Sequence, residues 1–162
     1  MTKEEKLEAV LKSFSRYYTI KEENVTFPFD AEAEFRSHSE QFVLVKAAKV
    51  AEIDSNEFVF FKTEERLSAD KLNLYDKKAW EEGMSRVKPH SSHKNSDVIL
   101  VIIADSIDDD AFSLIRKMKH YKSYKFSFYG YSNYKLIAID LKNDRLTFNR
   151  QGRTLKEVVN NK

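Results

Sequence analysis

Residues 98–104 read Val-Ile-Leu-Val-Ile-Ile-Ala, closed by Asp97 and Asp105. No polar residue interrupts the run, and five of its seven side chains are β-branched. Successive side chains of a strand point to opposite faces, so a strand with no polar alternation must be covered on both. The run is far too short to span a bilayer, and no membrane partner is expected. It predicts the central strand of a sheet, and the rest of the chain must then supply cover for two faces.

The neighbouring patterns supply that cover. Thr2-x-x-Glu5 has the form of a capping box. Leu7, Val10, Leu11, Phe14, Tyr17 and Tyr18 follow it at helical spacing, which predicts an amphipathic helix over 3–18. Ser68 is placed to cap a second helix over 69–87, with Leu72, Tyr75, Ala79, Trp80, Met84 and Val87 as its inner stripe. Asp108-Asp109-Asp110 opens a third, whose last turn would hold Lys117, Lys119, His120 and Lys122 and so complement the helix dipole at both ends. A short helix near 155–160 closes the chain.

Strands fill the intervals. Phe27, Phe29, Ala31, Ala33 and Phe35 alternate with polar residues over 27–36, and Pro28 marks that strand as an edge or a strand start. Residues 41–53 and 58–62 read as two more strands, joined by polar turns at 37–40 and 54–57, in an antiparallel meander. Residues 88–96 read as a polar loop before the central strand. Tyr124, Phe126 and Phe128 alternate as a strand with the Phe face inward, and 134–141 with 146–150 forms a hairpin across Lys142-Asn143-Asp144-Arg145. The fold expected is α+β or mixed α/β with helices packed on a sheet, in a single domain over 1–162. The central strand, its helix and the next strand fit one crossover unit. Only three glycines and two prolines occur, so no linker or phosphate-cradling loop is visible.

With no cysteine, thiolate catalysis, disulfides and Cys-based zinc sites are excluded. That fits a cytoplasmic location. The start, Met1 to Glu5, shows no apolar segment of a secretory signal. His90 and His93 have a spacing that zinc sites use, but a polar loop with no further ligand fits solvent exposure better. The acids 108–110 fit a helix start better than a metal site, because consecutive residues there point in different directions. No cofactor is expected.

Element order to this point (helix, meander, helix, strand) is similar to the core of restriction-endonuclease-like nucleases, a likeness of fold only. Such an enzyme needs an acid on one strand and acid-x-Lys on the next. Asp140-Leu141-Lys142 alone has that form on a predicted strand, and Tyr131-Ser132-Asn133 stands where the partner acid belongs.

Charge separates along the chain. Residues 1–87 hold 14 Lys/Arg and 18 Asp/Glu, whereas 116–162 hold 12 Lys/Arg and 3 Asp/Glu. Seven aromatics crowd into 121–134 within the basic part. Lys122, Lys125, Tyr129, Tyr131 and Lys135 are the candidate binding residues. They suit protein docking, including head-to-tail or two-fold self-association as a homodimer. They also suit stacking on nucleic-acid bases with lysines on phosphates. A tyrosine-rich strand pair with snorkelling lysines would look the same. The function expected is therefore non-enzymatic binding to protein or to self, with nucleic-acid binding and a nuclease-like fold as alternatives.

Overall fold

The computed structural model describes residues 1–36, 54–88, 93–126 and 128–160. The expected turn at 37–40, the strand at 41–53 and the histidine pair in the 88–96 loop lie outside the described residues, apart from the backbone of His93. The elements in chain order are α1 (Lys3–Phe14), β1 (Thr19–Lys21), β2 (Ala31–Arg36), β3 (Asp54–Leu67), α2 (Ala69–Arg86), β4 (His93–Ile107), α3 (Asp109–Ile115), β5 (Tyr121–Ser123), β6 (Tyr131–Asp140) and β7 (Arg145–Phe148). A 3-10 turn (Gln151–Leu155) then runs into α4 (Lys156–Val159). Among the described residues this is an α+β fold with four helices packed on a mixed sheet of seven strands.

The strand order is β1-β2-β3-β4-β6-β5, with β7 also on β6. As the hydrophobic run requires, β4 is central, parallel to β3 from Glu57↔Asp97 to Leu67↔Ile107 and parallel to β6 from Asn95↔Tyr131 to Ala104↔Asp140. Every side chain from Val98 to Ala104 is 0% exposed. Each large one contributes roughly 1.5–3 kcal/mol by leaving water. Even-numbered positions (Val98, Leu100, Ile102, Ala104) pack on α2 and α3. Odd-numbered ones (Ile99, Val101, Ile103) pack on Val10, Leu11 and Phe14 of α1 and on Leu155 and Val159.

Helix α2 starts at Ser68, whose hydroxyl accepts from the Lys71 amide, and buries Leu72, Tyr75 and Ala79. Gly83 continues that stripe because a Cβ there would strike the Val98 side chain. The Thr2–Glu5 capping box is present on α1.

Several elements differ from the sequence reading. Helix α1 ends at Phe14, and the Tyr17 and Tyr18 amides donate back to its carbonyl as the chain leaves the axis. Phe27–Pro28 is a cis bond and Phe27 is 85% exposed. A turn closed by the Phe29 amide on the Thr26 carbonyl resets the alternation, so Phe29 packs on the α2 face while Ala31 and Ala33 pack on the α1 face. Residues 54–57 are strand rather than turn, since Asn56 and Glu57 pair with Arg36 and Phe35 on one side and with β4 on the other. The antiparallel unit is completed by β1, a three-residue edge that no periodicity announces.

The largest departures follow α3. That helix ends at Ile115, so Lys117, Lys119 and His120 lie beyond it and Lys122 sits in β5. The Lys117 and Met118 amides make tight i→i−3 bonds, and the Asn149 side chain donates from Nδ2 to the Met118 carbonyl, drawing the chain toward the sheet. Tyr124, Phe126 and Phe128 form no strand. Phe126 and Phe128 are 96% and 81% exposed, opposite to an inward Phe face. Two tight local turns dictate this, because β5 reverses after three residues.

Candidate functional site

The β5–β6 hairpin is built to hold aromatics in solvent. Tyr121, Lys122 and Ser123 pair antiparallel with Asn133, Ser132 and Tyr131. The Tyr124 amide donates to the Gly130 carbonyl at 3.0 Å, the Tyr129 amide to Tyr124 at 3.1 Å and the Phe128 amide to Lys125 at 2.9 Å. Gly130 has φ 83°, the left-handed region in which glycine carries no steric cost. Lys125 and Phe126 also sit there, at φ 50° and 52°. For a bulky residue that conformation is an outlier. The tip is anchored to α2 by the Tyr124 hydroxyl, which lies 2.9 Å from Ser132 Oγ and donates to Met84 Sδ at 3.8 Å. Burial raises that phenol above its ordinary pKa.

Four of the five candidate residues meet on this hairpin. Lys122 Nζ lies 5.7 Å from the Tyr124 ring and Lys125 Nζ 5.5 Å from the Tyr129 ring. Tyr131 stacks on Tyr121 with centroids 6.0 Å apart. Residues 116–131 carry five Lys/Arg and no acid. Lys135 is elsewhere: it pairs with Asp97 at 3.2 Å on the α1 face of the sheet. Beside that pair the Tyr18 hydroxyl donates to Glu57 at 2.6 Å. Burial raises the Glu57 pKa in spite of that bond and of Lys135. Phe126 and Phe128, the most exposed rings of the hairpin, were not among the sequence candidates, because alternation marked them as core.

A groove of about 510 Å³ lies at the other end of the sheet, between α1 and β1. Its floor is Leu7, Leu11 and Ile20, its rim carries Glu4, Glu8 and Glu22, and Lys12 and Ser15 complete it. Three carboxylates against one ammonium make it acidic, opposite in sign to the hairpin.

Two polar clusters stabilise the fold. His120 Nε2 sits 2.9 Å from Asp76 Oδ2, its ring stacks on Trp80 at 5.0 Å, and its edge contacts Tyr134 at 4.8 Å. Asp76 and His120 are 44 residues apart in sequence, so no local pattern reveals them. The cluster pins the segment after α3 to α2. The second cluster surrounds Asp140, which is 0% exposed. It accepts from Arg145 Nε and Nη2 at 3.1 and 2.8 Å and from Asn143 N and Nδ2 at 3.1 and 3.0 Å. The acid of Asp140-x-Lys142 is thus occupied in closing the β6–β7 turn.

The acidic run disperses. Asp108 stands at the N-cap of α3 but makes no side-chain cap bond, taking Arg66 at 2.7 Å instead, while Asp109 faces Arg145 and Asp110 accepts from the Ala111 amide. Among the described residues no group of three or more acids and histidines is placed to hold a metal. No helix among them is long and apolar enough to cross a membrane.

Over residues 2–161 the chain matches the family described as "Domain of unknown function (DUF8052)". No curated protein and no solved structure matches it.

Proposed function

We propose that this chain, which belongs to the DUF8052 family, is a cytoplasmic protein-binding domain whose docking element is the β5–β6 hairpin. Its partner, on this reading, is a second copy of the chain. The observation that carries the proposal is the pair Phe126 and Phe128, 96% and 81% exposed at a tip whose backbone adopts an unfavourable φ. Such strain is retained where function needs it, and the rings gain nothing from it within the monomer. Seating both rings in an apolar floor gives about 3 kcal/mol or more.

The α1–β1 groove offers that floor, and its Glu4, Glu8 and Glu22 are complementary to Lys122 and Lys125. Hairpin and groove lie at opposite edges of the sheet, so one copy does not fill its own groove. The contact is heterologous, and generates open chains or a ring rather than a closed two-fold dimer.

Sedimentation velocity over a concentration series tests this. The native chain is expected to gain mass with concentration. Phe126→Ser with Phe128→Ser should weaken association by roughly 100-fold or more. Lys122→Glu with Lys125→Glu should weaken it too, and adding Glu4→Lys with Glu8→Lys should restore it. A native chain that stays monomeric to about 100 μM, some 7 kcal/mol short of nanomolar affinity or weaker, would refute self-docking.

Nucleic acid is the second reading, favoured by the acid-free basic stretch 116–131. It predicts oligonucleotide binding that weakens linearly with log salt. A nuclease reading gains no support from Asp140, whose carboxylate is already fully bonded.

A further inference from the structure

Lys6 is the one charged residue on the inward stripe of α1, and it is only 9% exposed. Its ammonium has no hydrogen bond or ion pair with any described residue. Asp144 acts on it only from beyond ion-pair distance, and burial lowers the pKa of the amine. The stem of Lys6 is packed away while its amine meets the cavity, an ammonium with no counterion among the described residues.

The amine borders a cavity of about 630 Å³. Ile139, Leu141 and Leu146 form apolar walls, and Arg145, Asn160 and Asp144 add polar groups. That volume is in the range of small-molecule sites, roughly 300–1,000 Å³. The cavity opens at the carboxyl end of β6, where open sheets with parallel strands place their ligands. The N-terminal turn of α1 reaches the same cavity through Met1 and Lys6, and its dipole favours negative charge there. Arg145 is held rigid by Asp140 and by the Phe112 ring 4.2 Å away, so this wall is preformed.

We infer that this cavity binds a small aliphatic carboxylate, with its head on the Lys6 ammonium and its chain along Ile139, Leu141 and Leu146. Lys6 then gains a counterion that none of the described residues supplies. Asp144 at the lining limits the site to a single negative charge, since a second would face it. The site is separate from the hairpin and from the α1–β1 groove, so it stands or falls independently of the docking proposal.

Octanoate is a suitable probe, with octanol as its uncharged counterpart, followed by methyl NMR of Ile139, Leu141 and Leu146 in the native chain. Saturable shifts of these methyls with octanoate are expected, with octanol at least about tenfold weaker, as loss of a charge-assisted bond requires. Lys6→Met keeps the volume and removes a buried charge, so it should fold at least as well as the native chain and lose the preference for carboxylate over alcohol. Equal affinity for the two probes, unchanged selectivity in Lys6→Met, or methyls unmoved by octanoate at about 10 mM, the millimolar edge of useful affinity, would each overturn the inference.

Discussion

Replacing Asn149 by Ala removes the side chain that closes the gap between the two short strands β5 and β7 on the edge of β6. Strand β5 covers residues 131–133 of β6 and β7 covers 137–140, leaving Tyr134 and Leu136 between them. Asn149 is 2% exposed. Its Oδ1 accepts from the Leu136 and Gly152 amides at 3.0 and 2.8 Å, and its Nδ2 donates to the Tyr134 and Met118 carbonyls, both at 3.1 Å. Each buried backbone group left unpaired costs about 1–3 kcal/mol. The Gly152 amide keeps the Asn149 main-chain carbonyl at 3.1 Å, so three groups lose their partner. They do not add in full, because the chain relaxes and water enters, so Asn149→Ala should lose about 2–5 kcal/mol. That is a large part of the roughly 5–15 kcal/mol that holds a domain together. Urea unfolding measures it as a fall in midpoint with little change in slope. Hydrogen exchange should show the Leu136 amide losing protection beyond the global loss, and the Gly152 amide, which keeps the Asn149 main-chain carbonyl, losing less. Asn149→Asp distinguishes bonding from packing: it keeps the acceptor but sets a carboxylate against two carbonyl oxygens, so it should be at least as damaging as Ala at neutral pH. A loss below about 1 kcal/mol for Ala, the worth of one ordinary hydrogen bond, would refute the reasoning.

Gly152→Ala should cost at least about 2 kcal/mol in the same assay, because the new Cβ would overlap the Leu136 carbonyl oxygen, which is backbone and does not yield like a side chain. A midpoint equal to the native value would contradict that packing. Burial opposes ionisation of Asp140, but the bonds from Asn143 and Arg145 outweigh it and hold its pKa below the ordinary carboxylate range. A depressed carboxylate pKa stabilises fully above the unfolded value of about 3.9 and loses that contribution as pH falls through the folded value. Asp140→Asn should therefore be less stable at neutral pH and show a shallower acid limb below about pH 4, read from denaturation at a series of pH values. Unchanged acid slopes would refute the assignment.

What the sequence makes legible is whatever depends on neighbours in the chain. The unbroken run 98–104 announces β4, Ser68 and its following stripe announce α2, and the polar turn at 142–145 announces the β6–β7 hairpin. What it hides depends on partners far away. Strand β1 has three residues and exists because β2 pairs with it. Asp54 to Glu57 have turn composition but become strand because β2 and β4 flank them. Asp76 finds His120, and Asn149 finds Met118 and Tyr134, across separations that no periodicity spans.

The candidate site was half visible for the same reason. Lys122, Lys125, Tyr129 and Tyr131 share the hairpin because β5 and β6 are adjacent in sequence, whereas Lys135 lies on the α1 face and is claimed by Asp97 from β4. Phe126 and Phe128 alternate like core residues. Only the turn geometry after Ser123, with positive φ at Lys125 and Phe126, turns them outward. The acidic groove is assembled from α1 and β1, so its complementarity to the hairpin emerges only in three dimensions.

The docking account is tested most directly by cross-linking, since the chain has no cysteine of its own. Ser123→Cys marks the hairpin and Ser15→Cys marks the groove, and both serines are exposed. Equal amounts of the two variants, tagged to differ in mass, are mixed and treated with a short bis-maleimide. The account predicts that the mixed Ser123–Ser15 product dominates over both like-with-like products, and that Phe126→Ser with Phe128→Ser removes it. Products in statistical proportion, or a yield indifferent to the two phenylalanines, would contradict it.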